Sequence, residues 1–232
     1  MPAEALPGGP RRRPRTVNVW FDPACPYTWL TAQWLRQVSQ VRPLALRWHL
    51  MSLTLLNEGR EDDPEGDPDG YLRIPVRIGT AVRRHHGQEA LSRFHASLWS
   101  HLGPSEEHGR TARKWINDPA LALAHAGLPP ELAAAGGSTV YDEELRASHK
   151  EALELLGPRP GTPVVAVGEP SEPSRPPLAF HGPVISRVPK GEDAGRLWDG
   201  TLLVAGTPGF HALRGRPADP DPDVTGSDGD PA

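Results

Sequence analysis

The spacing of apolar residues predicts a β-α-β unit near the amino-terminal end of the chain. An apolar run over residues 17–21 indicates a strand, and a Pro-containing turn follows it. Apolar residues then recur at helical spacing over residues 30–41, and Pro43 ends this helix. Apolar and polar residues alternate over residues 44–51, which is typical of a second strand. Because crossover connections are right-handed, we expect these strands to be parallel neighbours.

A long block without strand signals follows. Residues 58–70 are acidic and rich in Gly and Pro, so we expect a loop there. From about residue 74 to residue 156 the apolar residues follow helical spacing, with a first helix that is either long or broken into a pair. We interpret residues 58–156 as a helical insertion that forms a lid.

The pattern of short strands then returns. Residues 163–167 and 179–185 predict two strands, and residues 191–204 predict a final helix. The complete order is β-α-β, a helical insertion, then β-β-α. This order predicts an α/β domain formed by residues 16–57 and 157–214.

Both ends of the chain hold little that could form a core. Residues 1–15 contain Pro, Gly and a cluster of arginines, and residues 215–232 consist mainly of Pro, Asp and Gly. These compositions predict a disordered amino-terminal tail and a disordered acidic carboxyl-terminal tail.

Composition excludes several functional classes. The net charge of −4 gives no electrostatic argument for nucleic-acid binding. No segment approaches the ~20 apolar residues of a membrane span, and no secretory signal is recognisable. A single cysteine cannot form an internal disulfide, which fits a reducing compartment. We therefore expect a cytoplasmic protein.

The candidate chemistry centres on Cys25, the only cysteine of the chain. Pro26 suits the first position of a helix, which makes Cys25 its N-cap. A sulfur at this position faces unpaired backbone N–H groups and the positive end of the helix dipole, and both favour the thiolate. We predict a functional thiol, although a buried and inert cysteine is the simpler alternative.

A reactive cysteine at the start of the first helix, in this order of elements, is the arrangement of a thioredoxin-like fold. Such a site also needs a proline just before the third strand, and Thr162-Pro163 supplies it. A cis peptide bond there turns the backbone of Thr162 towards Cys25, ready to pair with an extended thiol substrate.

Several segments, in one order, resemble the actinobacterial DsbA-like thioredoxin family that includes the mycothiol-dependent nitroreductase. They are residues 21–29 (FDPACPYTW), 51–53, 141–142, 147–149, 161–163, 180–184 and 197–200. The resemblance covers residues 16–214. It implies a thioredoxin fold with a helical insertion, a cytosolic redox role, mycothiol as the small-thiol partner, and a homodimer.

The chain departs from this family at one position. The redox members carry Cys-Pro-x-Cys, whereas this chain has Thr28 in place of the second cysteine. In a dithiol site the second cysteine resolves the mixed disulfide, and Thr28 cannot do so. A monothiol cycle remains, in which external thiol resolves an adduct on Cys25. Thr28 either donates a hydrogen bond to the sulfur or is an ordinary residue of the first helical turn.

Other reactions remain open. The chain also resembles the 2-hydroxychromene-2-carboxylate isomerase and kappa-class glutathione transferase group, which has a Ser/Cys-Pro-Tyr segment at the helix start. In that group the residue activates bound glutathione without passing through a disulfide. A nitroreductase using two thiols per cycle and a non-catalytic binding module are further alternatives. The fold alone does not separate them.

The predicted site thus has Cys25 and Thr28 as catalytic residues and a set of substrate-binding residues. This set consists of Pro26, Tyr27, Trp29, Thr162, Pro163 and His149. His149 lies on the apolar stripe of its helix, either as a hydrogen-bonded core residue or as part of the site.

The other ligand predictions are negative. The other histidines considered lack metal-ligand spacing, and we expect His85, His86, His95, His101 and His108 at the surface and no metal site. We expect no tightly bound cofactor, mycothiol or another low-molecular-weight thiol as co-substrate, and a second substrate of unknown identity.

Overall fold

A computed structural model describes residues 14–62, 64–100, 116–168, 176–217 and 222–224. In chain order its elements are β1 (Arg15–Phe21), α1 (Pro26–Val41), β2 (Leu44–Leu50), α2 (Leu53–Leu56), α3 (Arg73–Trp99), α4 (Pro119–His125), a 3-10 helix (Pro130–Gly137), α5 (Asp142–Leu156), β3 (Val164–Val167), β4 (Leu178–His181) and α6 (Gly191–Ala205). Two short elements are not predicted by the apolar pattern: α2, and the 3-10 helix, where Gly and Pro residues interrupt the spacing.

The strands form a four-stranded sheet in the order β2-β1-β3-β4. Strands β1 and β2 are parallel, as predicted, and β3 pairs antiparallel with both β1 and β4. This arrangement confirms the predicted α/β fold class. Helices α1 and α6 pack together, with the Trp34 indole donating to the Ala194 carbonyl at 3.1 Å. On α5, the Ser148 hydroxyl donates to the Leu50 carbonyl at 2.7 Å, which joins this helix to the end of β2.

Helix α3 is divided by a glycine, which resolves the choice between one long helix and a broken pair. Gly87 has φ +78°, a left-handed value that favours glycine. Gln88 follows the break, and its side chain hydrogen-bonds both the N–H and the carbonyl of Trp48 at 2.7 and 2.9 Å. A side chain therefore satisfies part of the free edge of β2, which limits pairing with other chains.

The boundaries of the fold differ from the predicted ones at three places. Strand β1 begins at Arg15, inside the predicted amino-terminal tail, and the rest of that tail lies outside the described residues. Strand β4 stops at His181, because Pro183 has no N–H to continue the ladder. Within the predicted carboxyl-terminal tail, the structure describes residues 215–217 and 222–224, and Val224 is only 9 % exposed.

None of the helices in the described part of the chain combines the length and the apolar character needed to cross a membrane.

Candidate thiol site

Cys25 is the N-cap of α1, as the sequence predicts. Its backbone is extended, with φ −83° and ψ 120°, and its carbonyl accepts the N–H of Trp29 at 3.0 Å. Pro26 occupies the first helical position, where the missing N–H costs nothing. Pro26 and Tyr27 are half-buried, whereas the Cys25 side chain is buried with 7 % of its surface exposed.

The protonation of this thiol differs from the expectation. Burial raises the pKa of Cys25 to about 11, and the negative charges of Asp22 and Glu65 act in the same direction. Hydrogen bonding by the hydroxyl and the N–H of Thr28 lowers the pKa but does not outweigh burial. The thiol is therefore protonated near neutral pH in this conformation, because the helix terminus compensates only part of the lost hydration.

Thr28 and Thr162 face each other next to the thiol. Their hydroxyl oxygens lie 3.1 Å apart, and both side chains are buried. The N–H of Asp22 donates to the Thr162 oxygen at 3.3 Å. With this N–H as a fixed donor, Thr162 can donate to Thr28 while Thr28 donates to the Cys25 sulfur. The predicted group of Cys25, Thr28, Thr162 and Pro163 is thus brought together, and the Thr162–Pro163 peptide bond is cis.

The loop that carries Thr162 is held by His181 on β4. The backbone of Thr162 hydrogen-bonds His181, which raises the pKa of this imidazole, although burial lowers it more. Gly161 has φ +86°, and a Cβ there would lie 2.6 Å from the His181 Nε2 atom. Glycine at this position therefore allows the ring to approach the loop.

Asp22 is a site residue that the sequence reasoning missed. It is fully buried, and its carboxylate accepts the N–H groups of Ala24 at 2.9 Å and Leu53 at 2.8 Å. These bonds tie the loop before Cys25 to the start of α2. Burial raises the pKa of Asp22 to about 7, because the two N–H donors replace only part of its hydration. The sequence does hold a signal for Asp22. It is a single carboxylate placed between the apolar end of a strand and Cys25, and this position could have marked it as a site residue.

His95 was expected at the surface, and this expectation is wrong. Its side chain is 1 % exposed and lies between the rings of Phe21 and Trp29, with centroid distances of 4.5 and 5.2 Å. Burial, and secondarily the charge of Arg36, lowers its pKa well below the ordinary value. Helical spacing from Leu91 is the signal that could have placed it inside. His85 and His86 are exposed, whereas His101 and His108 lie outside the described residues.

Trp29 forms the wall of the site on the insertion side. Its ring stacks on Trp99 of α3 at a centroid distance of 5.9 Å. The Trp99 indole donates to the Pro23 carbonyl at 2.9 Å, so α3 contacts the turn that leads to Cys25. The insertion thus packs directly against the loop that holds the thiol.

His149 of α5 contacts Ser52, the N-cap of α2. Its Nδ1 accepts the N–H of Ser52 at 3.3 Å, which places the imidazole proton on Nε2. Burial lowers the pKa of His149, so the ring is neutral. The next residue, Leu53, donates to Asp22. His149 is therefore a hydrogen-bonded core histidine that supports α2, and the structure does not bring it to the group around Cys25.

A polar cavity of about 450 Å³ opens beside the start of α2. Its carboxylate-bearing lining residues are Glu58, Asp62, Glu65, Asp67 and Asp69, with Arg73 also in the wall. Burial is the main cause of the raised pKa of both Cys25 and Asp22, and the charge of Glu65 raises both further. Within the described ranges, no group of three or more His, Cys, Asp or Glu residues is arranged to hold a metal ion.

Comparisons with known proteins agree with this picture. A family model described as "Rv2466c-like: Mycothiol-dependent nitroreductase Rv2466c" matches residues 24–215. The uncharacterized protein Rv2286c of Mycobacterium tuberculosis is 29% identical over 212 residues, which are 88% of this chain and 83% of that protein.

Two of the similar solved structures have TM-scores of at least 0.50. The probable DsbA oxidoreductase SCO1869 from Streptomyces coelicolor has a TM-score of 0.50 at 15% identity, over 87% of this chain and 100% of that one. A putative protein disulfide isomerase from Nitrosomonas europaea has a TM-score of 0.51 at 14% identity, over 82% of this chain and 98% of that one. At these identities both neighbours show the fold, which is thioredoxin-like.

Proposed function

The chain belongs to the Rv2466c-like family of mycothiol-dependent nitroreductases, and from this membership we propose that it is a cytoplasmic thiol-dependent oxidoreductase with a monothiol site. The observation that carries the proposal is the hydroxyl pair of Thr28 and Thr162 beside Cys25. A sulfur with a hydroxyl donor in reach is a better nucleophile and leaving group than an isolated buried thiol. Because Cys25 is the only cysteine, the partner that releases its adduct is an external thiol.

The proposed cycle consists of two thiol–disulfide exchanges. The Cys25 thiolate attacks one sulfur of a small-molecule disulfide; the bond between the two sulfurs breaks, and the departing thiolate takes up a proton. The thiolate of a second small thiol then attacks the outer sulfur of the adduct. This step forms a new small-molecule disulfide and releases Cys25 as a thiolate. Electrons pass from the second thiol to the first disulfide. Cys25 then takes up a proton in place of the one that it lost to solvent before its attack, and the protein returns to its starting state, a neutral thiol.

The residues around the thiol have distinct roles in this cycle. Thr28 stabilises the anionic sulfur when Cys25 attacks and again when it leaves. Thr162 and Pro163 position the incoming disulfide, while Pro26, Tyr27 and Trp29 supply the surface on which it rests. The buried thiol must gain hydration or lose the nearby negative charge to ionise, since burial is the main cause of its raised pKa.

Mycothiol is the proposed co-substrate, and the family membership supports it. The acidic cavity beside α2 supports an uncharged thiol, because its negative potential opposes the approach of an anionic one such as glutathione.

A second candidate function is transfer or isomerisation with a bound thiol and no disulfide. The observation that favours it is the protonated state of Cys25, since a neutral thiol can donate a hydrogen bond to the sulfur of a bound thiolate. In this case the protein binds the small thiol saturably and carries no covalent adduct.

Intact-mass analysis separates these functions. We expect the protein incubated with oxidised mycothiol, or with oxidised glutathione at higher concentration, to gain one adduct that added thiol removes. The Cys25→Ser variant serves as the control and should gain none. An unmodified folded protein that still binds the reduced thiol would favour the second function, and one that neither binds nor reacts would exclude both.

A further inference from the structure

The carboxyl-terminal tail contains one residue suited to a core, and that residue is buried. Over residues 215–232 the only branched aliphatic or aromatic side chain is Val224, in a sequence otherwise made mainly of Pro, Asp and Gly. Val224 is 9 % exposed and belongs to the same apolar cluster as Cys25 and Trp29. The tail is therefore anchored beside the thiol site by its single apolar side chain.

The tail is held through its backbone as well. The Trp29 indole N–H donates to the Val224 carbonyl at 3.0 Å, and the Asp223 N–H donates to the Ser186 carbonyl at 3.0 Å. Residues 222–224 form a tight turn, in which the Val224 N–H donates to the Pro222 carbonyl at 2.9 Å. The surface between Trp29 and Ser186 thus accepts a short turned segment, and here that segment belongs to the chain itself.

This surface is connected to the reactive group through α1. The N–H of Trp29 donates to the carbonyl of Cys25, so the indole that holds the tail begins one helical turn from the thiol. On the other side, Ser186 follows Pro183, whose carbonyl accepts the Thr31 hydroxyl of α1 at 2.8 Å. Residues 222–224 therefore contact both α1, through Trp29, and the segment after β4, through Ser186.

We propose that residues 222–224 act as a removable cover of the thiol site, anchored by Val224, which competes with apolar ligands for the surface around Trp29. This proposal concerns access to Cys25 and goes beyond the proposed oxidoreductase function, since it holds for any reaction of the thiol. One buried valine and two hydrogen bonds must offset the ordering of the tail, so the closed state is favoured by only about tenfold to a hundredfold. A cover of this strength opens readily when a ligand competes for the surface.

Alkylation of Cys25 measures the cover directly, because the chain has no other thiol. We would compare second-order rate constants for iodoacetamide in the full chain, in a variant lacking residues 218–232, and in Val224→Asp. We expect the deletion and Val224→Asp to react about tenfold faster or more. The matched controls are a deletion of residues 226–232 and Val224→Ile, and both should react within about twofold of the full chain.

A trans experiment makes the test independent of any single variant. A synthetic peptide of residues 217–228 should slow alkylation of the protein lacking residues 218–232, saturably, and the same peptide with Val224→Asp should not. Two results would overturn the proposal that residues 222–224 cover the thiol. One is equal alkylation rates in the full chain, the deletion and Val224→Asp. The other is a wild-type peptide that does not slow alkylation of the deletion variant, although that variant unfolds cooperatively and is therefore folded.

The same samples keep this test separate from the proposed function. Faster alkylation without any mixed disulfide on the tail-deleted protein would support the cover and contradict the oxidoreductase cycle. A mixed disulfide together with unchanged alkylation rates would support the oxidoreductase cycle and contradict the cover.

Discussion

The hydroxyl oxygen of Thr28 lies 3.1 Å from that of Thr162, and this contact joins the first turn of α1 to the loop before β3. Thr28 occupies the position at which a Cys-Pro-x-Cys site has its second cysteine. A hydroxyl cannot resolve a disulfide, but it can hold a sulfur anion. The contact with Thr162 fixes where that hydroxyl points.

Replacing Thr28 with valine should slow the reaction of the thiol. The variant keeps the shape of the buried side chain and removes the hydrogen bond that lowers the pKa of Cys25. Because a hydrogen bond to a charged group contributes about 1.5–3 kcal/mol, we expect alkylation near neutral pH to slow by about tenfold or more. Thr28→Ser is the matched control and should react nearly as fast as the wild type; equal slowing in both would contradict the role of the hydroxyl.

Replacing Thr28 with cysteine should restore a dithiol cycle. The introduced sulfur lies in the first helical turn with Cys25, the spacing of the redox relatives. We expect the adduct with a small disulfide to become transient and to convert to an internal disulfide, with release of the small thiol. Mass analysis after acid quenching checks this, with the wild type as the control. A long-lived adduct on Thr28→Cys would show that the geometry does not support resolution.

Asp22 should make the protein less stable as the pH rises. Its folded pKa, about 7, is raised above its ordinary value of 3.8, so the folded state holds the proton more tightly than the unfolded state. Its contribution to stability is full below pH 3.8 and is lost as the pH rises to about 7, by up to about 4 kcal/mol.

Urea unfolding of the wild type and Asp22→Asn across this pH range measures that contribution. Relative to the variant, the wild type should lose stability with rising pH. The control is Asp62→Asn, because the hydrogen bonds from Arg60 lower the pKa of this exposed carboxylate and it should add no slope of this sign. Parallel curves for wild type and Asp22→Asn would contradict the raised pKa.

The acidic cavity should select disulfides by charge. Cystamine, hydroxyethyl disulfide and dithiodiglycolate carry positive, zero and negative charge on similar frames. We expect their rates of adduct formation with Cys25 to fall in that order, since the potential from Glu65 and its neighbours reaches the thiol. Added salt and the Glu65→Gln variant should both reduce the differences between the three rates. Glu154→Gln, on α5, should leave these differences unchanged. Rates that do not depend on charge would contradict this prediction.

Local signals in the sequence predicted the elements and the position of the thiol. Pro26 at the first helical position and the alternation in β2 depend on near neighbours, so they can be recognised without a fold. The order of elements then limited the topology, including the parallel pairing of β1 and β2.

The parts that the sequence did not predict depend on contacts between distant segments. Asp22 is buried because Leu53 and Thr162 approach it, and Val224 is buried because Trp29 holds it. The raised pKa of Cys25 has the same origin. The helix start is a local feature and favours the thiolate, whereas burial by the packed loops and helices acts from further along the chain and is stronger.

The break at Gly87 gives the two halves of α3 separate duties. The first half connects to another helix of the insertion, because Arg77 forms an ion pair with Asp142 of α5 at 2.6 Å. The second half carries Trp99 to the turn before the thiol. A residue that interrupts a helix also interrupts the mechanical coupling along it. The angle between the two halves can therefore change without moving Trp99 away from the wall of the site.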